Sequence, residues 1–322
     1  MIPDKGGIFM VRIGIDVGGT GIQFGAIDES MNILAEKSIP TTTSVPFSEQ
    51  VARIADAVAA TASAAGFSTD QIDRIGVGIP GISDPVTGDI VKCPNMGWFH
   101  VPFRQEFMKH LSAPLYIEND ANVAALAESA AGVSAGTSSS VFITIGTGIG
   151  SGIILNGRIW NGFHGIGGEL GHVIFGLNGV PCTCGNRGCL ERYCSATALI
   201  RMGREAVALQ PDSLILRSVG NDLTRIEART VIDAARENDP VAVEVYGQWI
   251  SQLAQAIAGV VNLIDPEVIV LGGGVSKAGD FLLNPLRSEF RKYVLYSDQP
   301  LPDLRIAVLG SKAGIIGASM LS

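Results

Sequence analysis

The chain has 322 residues, 47% of them hydrophobic and 17% charged, with a formal net charge of −8. That length buries a large core and leaves room for two domains, and the apolar share excludes intrinsic disorder. The acidic balance disfavours a nucleic-acid partner, whose phosphates demand clustered Lys and Arg, and no apolar run reaches the roughly 18 residues of a membrane span.

Five cysteines are too few for a disulfide scaffold, and three of them stand at metal-ligand spacing. A reducing, cytoplasmic compartment is therefore expected. The first ten residues, MIPDKGGIFM, lack the apolar stretch and cleavage site of a signal peptide. The 40 glycines cluster, which points to tight turns and close approach of backbone to ligand.

In chain order, the β-branched run Val11–Asp16 leads into Val17-Gly18-Gly19-Thr20, and Gln23–Ile27 returns as a second strand. Together they predict a hairpin with a glycine turn. Exposed backbone N–H groups and the Thr20 hydroxyl make such a turn a phosphate cradle. Asp16, at the strand end, is placed to organise Mg2+ through water; the structural alternative is an ordinary hairpin. Ser48–Gly66 carries Val51, Ile54, Ala55, Val58 and Ala62 at helical spacing, with Ser48 as N-cap and Gly66 as C-cap. Arg74–Ile79 is a buried strand ending in Pro80-Gly81, and Asn95 with Trp98 in the next loop forms a candidate sugar-binding pair. For a single Trp, however, packing is the more common role.

Leu115–Glu118 is another strand, with Asn119-Asp120 at the mouth of a helix over Ala121–Ala131. A carboxylate at the carboxyl end of a strand in an α/β protein stands where catalytic acids and bases are found. Helix capping by Asp120 is the alternative. Ser140–Leu155 repeats the opening pattern of strand, Gly-Thr-Gly turn and strand. Two copies of one unit imply two related halves, each bringing a phosphate-cradling hairpin to one nucleotide.

Gly168–Glu191 holds Cys182, Cys184 and Cys189 in a C-x-C-x4-C cluster, with His172 ten residues upstream. Three thiolates and one imidazole suit Zn2+ in a closed structural site. Glu169 and Glu191 bracket the cluster, so a metal that folds this loop also fixes two carboxylates. Ala196–Leu209 reads as a helix, and Asp239–Ile264 as a long one whose apolar residues offer a surface for pairing. The strand Val268–Leu271 runs into Gly272-Gly273-Gly274, where a flat ring can lie against the backbone. Arg305–Leu309 is a last strand and Ala313–Leu321 a terminal helix.

With these elements in place, the chain resembles the ROK family of sugar kinases and repressors from Ile13 to Ala318. The resemblance rests on DVGGT (Asp16–Thr20), END (Glu118–Asp120), GTGIG (Gly146–Gly150), GELGH (Gly168–His172), CTCGNRGCLE (Cys182–Glu191) and GGGV (Gly272–Val275). It implies an α/β, duplicated actin-like (ribonuclease-H-like) fold of two lobes with a nucleotide cleft between them. Residues 1–120 plus 311–322 would form a smaller N-terminal lobe. Residues 121–310 would form a larger one with the zinc loop and the nucleoside glycines.

By the same resemblance, Asp120 is similar to the base that takes the proton from a sugar 6-hydroxyl. Asn119, Glu169, His172 and Glu191 match sugar ligands, joined by Asn95 and Gly81. His172, Cys182, Cys184 and Cys189 match a zinc set. Asp16, Gly18, Gly19, Thr20, Thr147 and Gly148 match phosphate contacts, and Gly272 and Gly273 those of a nucleoside. The implied activity is ATP-dependent phosphorylation of a hexose, glucose first, with ATP, Mg2+ and structural Zn2+, in a homodimer or homotetramer. Another hexose or an N-acetylhexosamine is the alternative, and a sugar-responsive regulator is less favoured because only about ten residues precede the first strand. One departure stands out: Gly21 occupies the place where the family often carries Lys. This leaves phosphate neutralisation to metal and backbone.

Overall fold

The computed structural model describes residues 10–322; the signal-peptide reading falls mostly on residues outside that range. The chain divides into two compact units. The first holds the described residues up to Ala135 together with Gly157–Gly167 and Leu309–Ser322, and the second holds Gly136–Asn156 and Gly168–Val308.

In the first unit, β1 (Val11–Val17), β2 (Gly21–Ile27), β3 (Ile33–Pro40), β4 (Ile72–Ile79) and β8 (Leu115–Asn119) form one sheet in the order β3-β2-β1-β4-β8. A second, small sheet joins β5 (Ile82–Ser83), β6 (Ile90–Cys93) and β7 (Trp98–Val101). The alternating apolar residues of β1 explain its place: Val11, Ile13, Ile15 and Val17 are at most 1% exposed. Helix α1 (Phe47–Ala64), the short α2 (Phe103–Phe107), α3 (Asp120–Ala131) and the two-residue β11 (Arg158–Ile159) also belong here, as does the terminal helix α10 (Ala313–Ser319).

Helix α10 lies on bare backbone. A Cβ at Gly14 would fall 1.8 Å from the Ile315 carbonyl oxygen, and one at Gly76 would fall 1.7 Å from that of Ala318. A Cβ at Gly317 would fall 1.9 Å from the Val123 oxygen, so α10 also touches α3 directly. These contacts explain why α3 sorts with the first unit. The first stretch of this unit ends at Ala135, and Gly157–Gly167 and Leu309–Ser322 return to it.

In the second unit, β10 (Ile149–Leu155), β9 (Ser139–Ile145), β12 (Val268–Gly272) and β13 (Asp303–Ile306) lie side by side in that order. β9 and β10 are antiparallel, while β9, β12 and β13 are parallel. The strands β2-β1-β4-β8 repeat this pattern of directions, so the duplication expected from the two glycine hairpins extends through four strands. Around the second sheet stand α4 (Glu191–Cys194), α5 (Ala196–Leu209), α6 (Leu214–Arg217), α7 (Ala228–Arg236), α8 (Pro240–Ile264) and α9 (Asp280–Glu289).

The apolar face of α8 is already used. Trp249, Leu253 and Ile257 are at most 1% exposed and sit in the core of the second unit. The stripe expected to serve pairing is therefore an internal packing surface. Asp239 caps α8 by accepting from the Ala242 amide at 2.9 Å. Among the described residues, no helix is long and apolar enough to cross a membrane.

Three expected helix ends differ. The N-cap of α1 is Pro46, two residues before Ser48, and its C-cap is Ala65, one residue before Gly66. At α3 the N-cap is Asn119, whose Oδ1 accepts from the amides of Ala121 at 2.9 Å and Asn122 at 3.4 Å. Asp120 is the first helical residue.

Candidate active site

In the first unit, the β1–β2 turn is closed by the Gly18 amide, which donates to the Gly21 carbonyl at 2.9 Å. The Thr41 hydroxyl donates to the Gly18 carbonyl at 2.7 Å, and the Thr41 amide to the Thr20 carbonyl at 3.2 Å. With two of its carbonyls held from β3's end, the turn has a fixed shape. Asn95 reaches it: a Cβ on Gly19 would be 3.5 Å from the Asn95 Nδ2. Asp16 precedes the turn, and burial pushes its carboxyl above the ordinary value. A Cβ on Gly314 would fall 2.3 Å from its Oδ2, so α10 leaves room for this carboxylate only because that residue is glycine.

Gly81 follows β4, and a Cβ there would meet the Lys92 carbonyl at 2.0 Å. Its own carbonyl accepts from the Asn119 Nδ2 at 3.2 Å. Asn119 thus ties this glycine to the first turn of α3, and Asp120 follows directly, its Oδ1 accepting from the Ala121 amide at 2.8 Å. Cys93 is fully buried nearby; burial pushes its thiol up to about 11, and the charge of Asp120 adds to the rise. Asn119, Asp120, Gly81 and Cys93 are therefore one neighbourhood.

Trp98 does not join it. It is 1% exposed, packs against Phe47 and Phe103, and its Nε1 donates to Gln50 Oε1 at 2.9 Å. The proposed Asn95–Trp98 pair is reduced to Asn95. Sequence reasoning named Glu118 within the END motif without a role of its own, and missed Asn161. Glu118 Oε1 accepts from the Asn119 amide at 2.8 Å and from Asn122 Nδ2 at 3.0 Å, and its Oε2 accepts from Asn161 Nδ2 at 2.9 Å. Asn161 lies far along the chain, and no local signal announces it.

In the second unit the Gly146–Gly148 turn is built like the first, with the Gly146 amide donating to the Gly148 carbonyl at 3.0 Å. The start of α5 holds it: the Ala196 amide donates to the Gly146 carbonyl at 2.9 Å and the Thr197 hydroxyl to that of Thr147 at 2.7 Å. A Cβ on Gly148 would fall 2.5 Å from Glu191 Oε2, which brings that carboxylate to the turn. Gly272 and Gly273 end β12 beside the same hairpin. Gly273 has φ +83°, and a Cβ there would be 2.5 Å from the Ile145 carbonyl. Gly272 faces the Phe142 ring at 2.5 Å in the same sense. Close packing thus requires the first two glycines of the three, whatever they also bind.

The GELGH segment docks on β10. A Cβ on Gly171 would lie 2.1 Å from the Ile149 carbonyl, and the Ser151 hydroxyl donates to the Gly168 carbonyl while accepting from the Leu170 amide at 3.2 Å. This places Glu169 and His172 on a short 3-10 turn, Leu170–His172. His172, Cys182, Cys184 and Cys189 converge, with all four donor atoms within 4.8 Å of one another. The Cys184 and Cys189 sulfurs are 3.5 Å apart, and Cys182 Sγ is 3.9 Å from His172 Nδ1. Ligands about 2.3 Å from a tetrahedral ion are spaced roughly 3.8 Å apart, so this set fits a soft tetrahedral metal. Bridges Ile174–Cys189 and Pro181–Arg187 brace the loop. Glu191 Oε1 accepts from Cys182 Sγ at 3.0 Å, linking the cluster to the glycine turn. No disulfide forms among the five cysteines.

The comparisons with known proteins agree along the whole chain. The sequence profile of the ROK family matches residues 12–322. A glucokinase of Halalkalibacterium halodurans is 37% identical over 310 residues, covering 96% of this chain and 94% of its own. The ROK family glucokinase of Streptomyces griseus, solved with glucose and AMPPNP, is 32% identical with a TM-score of 0.79, over 96% of this chain and 98% of that one. The ROK hexokinase of Thermus thermophilus is 32% identical with a TM-score of 0.82 and 97% coverage of both chains. The chain belongs to the ROK family, and its α/β fold is the duplicated actin-like fold of the sugar kinases in that family.

Proposed function

We infer that this protein is an ATP-dependent hexose kinase that phosphorylates the 6-hydroxyl, with glucose as the leading substrate. The observation that carries the reading is at the β8–α3 junction. Asn119 is the N-cap, and Asp120, whose Oδ1 also accepts from the Ala121 amide, stands at the strand end where an acid–base group is needed. Full-length likeness to glucokinases points to the same activity.

A sugar hydroxyl is a poor nucleophile, and Asp120 is assigned the proton it loses as it attacks. Asn119, Asn95, Gly81, Glu169, His172 and Glu191 are assigned to the sugar. Asn119 spends both Oδ1 lone pairs on its cap and one N–H on Gly81, which leaves one N–H for a sugar hydroxyl. The two glycine turns, with Asp16, Gly18, Gly19, Thr20, Thr147 and Gly148, are assigned to the phosphates, and Gly272 and Gly273 to the nucleoside. With Gly21 in the hairpin, backbone amides carry more of the phosphate binding. Bound Mg2+ would neutralise phosphate charge, and Asp16 is the residue placed to hold it through water.

His172, Cys182, Cys184 and Cys189 are assigned to a structural zinc ion, whose four positions the protein fills. Nδ1 is the His172 nitrogen turned toward Cys182, which leaves Nε2 for a sugar hydroxyl. Each hydroxyl that meets a fixed partner adds selectivity, because a sugar lacking or inverting it strands a polar group. The setting is inferred to be cytoplasmic and the assembly a homodimer or homotetramer.

A coupled ADP-release assay over a panel of hexoses and N-acetylhexosamines, with polyphosphate beside ATP, tests the reading. Glucose-dependent ADP release is expected. No turnover with any sugar and donor, together with salt-sensitive retention on specific DNA, would point to a regulator instead.

A further inference from the structure

Glu118 is a half-buried carboxylate with no function in the account above, and it makes three hydrogen bonds to three different parts of the first unit. Its Oε1 takes the Asn119 amide at 2.8 Å, on the bond that leads into Asp120, and the Asn122 Nδ2 at 3.0 Å, in the first turn of α3. Its Oε2 takes the Asn161 Nδ2 at 2.9 Å, from the segment Gly157–Gly167. All three donors are neutral, and no Lys or Arg forms an ion pair with Glu118 among the described residues.

The partners are themselves held. Asn122 is 4% exposed, so its amide has little freedom to turn elsewhere. The Asn161 carbonyl accepts from the Gly167 amide at 2.7 Å, which closes Asn161–Gly167 into a loop. A Cβ on Gly167 would fall 2.9 Å from that carbonyl, so the closure depends on glycine. In sequence, Gly167 is followed at once by Gly168 and Glu169.

A surface carboxylate that merely solubilised the strand end would not gather three amide donors. A carboxylate that accepts from all three fixes the strand exit, the helix entry and a distant loop against one another. Charged acceptors make the stronger hydrogen bonds, and a fixed frame is what a general base requires. We propose that Glu118 is a positioning residue for Asp120, and that Asn161 is the partner through which the 157–167 segment is locked to the base. The proposal rests on the reading of Asp120 as the base of a hexose kinase.

Reciprocal exchange tests it. Glu118→Gln replaces one of the two accepting oxygens by an NH2 group, so that a donor meets a donor on one side of the side chain, and Asn161→Asp sets two carboxylates against each other. The double variant E118Q/N161D restores one donor–acceptor pair with the roles reversed. The expected result is a fall in kcat of about tenfold or more in each single variant, with the KM for ATP unchanged, and recovery to within about threefold in the double variant. Asn161→Ala, in a loop, is the folding control: its thermal midpoint should match the unaltered protein while kcat still falls. Single variants that keep kcat within about twofold, or a double variant no better than the worse single one, would overturn the proposal. Absence of hexose-dependent turnover in the unaltered protein would instead overturn the kinase reading itself.

Discussion

At the scale of single residues, the account turns on which side chains are held by others and which hold the ligand. Cys184 shows the difference. It is the exposed member of a set whose other two sulfurs are buried, and its removal leaves three donors, too few to close a tetrahedral structural site. On the zinc assignment proposed above, Cys184→Ala is expected to purify without the metal, read by metal analysis. Glucose affinity, read by calorimetry, should weaken by about tenfold or more because His172 loses its fixed ring. Retention of both metal and affinity would remove zinc from the assignment. These residues were legible because the chemistry sits close in sequence: the C-x-C-x4-C spacing and His172 name their own ligand geometry. Trp98 was legible only through the usual packing role of a lone Trp, since its spacing from Asn95 is the same whether it faces a sugar or the Phe47–Phe103 core where it lies. Asn161 was invisible for another reason. Its partner Glu118 is 43 residues away, and nothing in an isolated Asn marks it as a donor to that carboxylate.

At the scale of elements, α10 sets the geometry of β1 and β4 by resting on glycines. Gly317→Ala would drive a Cβ to within 1.9 Å of the Val123 carbonyl of α3. Overpacking of this kind costs about 1–3 kcal/mol, and denaturant unfolding should show a loss in that range with α3 displaced and kcat reduced. An unchanged midpoint would mean that α10 shifts freely and does not position the base. The paired hairpins and the strand before Asp120 were readable from β-branched runs broken by glycine. Other elements were not. β3 is a mostly exposed strand, ILAEKSIP, whose charges mask its period, and β5–β7 are two to four residues long. Helix α9 carries Pro285 in its interior, which argues against a helix from sequence alone.

At the scale of the whole molecule, repetition is the organising fact. Two sheets share one order of strand directions, and each opens with a three-residue turn flanked by antiparallel strands. The repeat was visible in the two glycine hairpins, and the fold followed from it. The packing of α10 on α3, which joins the C-terminal helix to a stretch in the first half of the chain, left no local signal. The central claim is that Asp120 performs the proton chemistry while other residues bind the sugar. Measuring ADP release and glucose binding on Asp120→Asn, which keeps the size and removes the base, tests it most directly. A kcat lowered at least about a hundredfold, with glucose affinity within about fivefold of the unaltered protein, is the predicted result. A kcat within tenfold of the unaltered protein would contradict it.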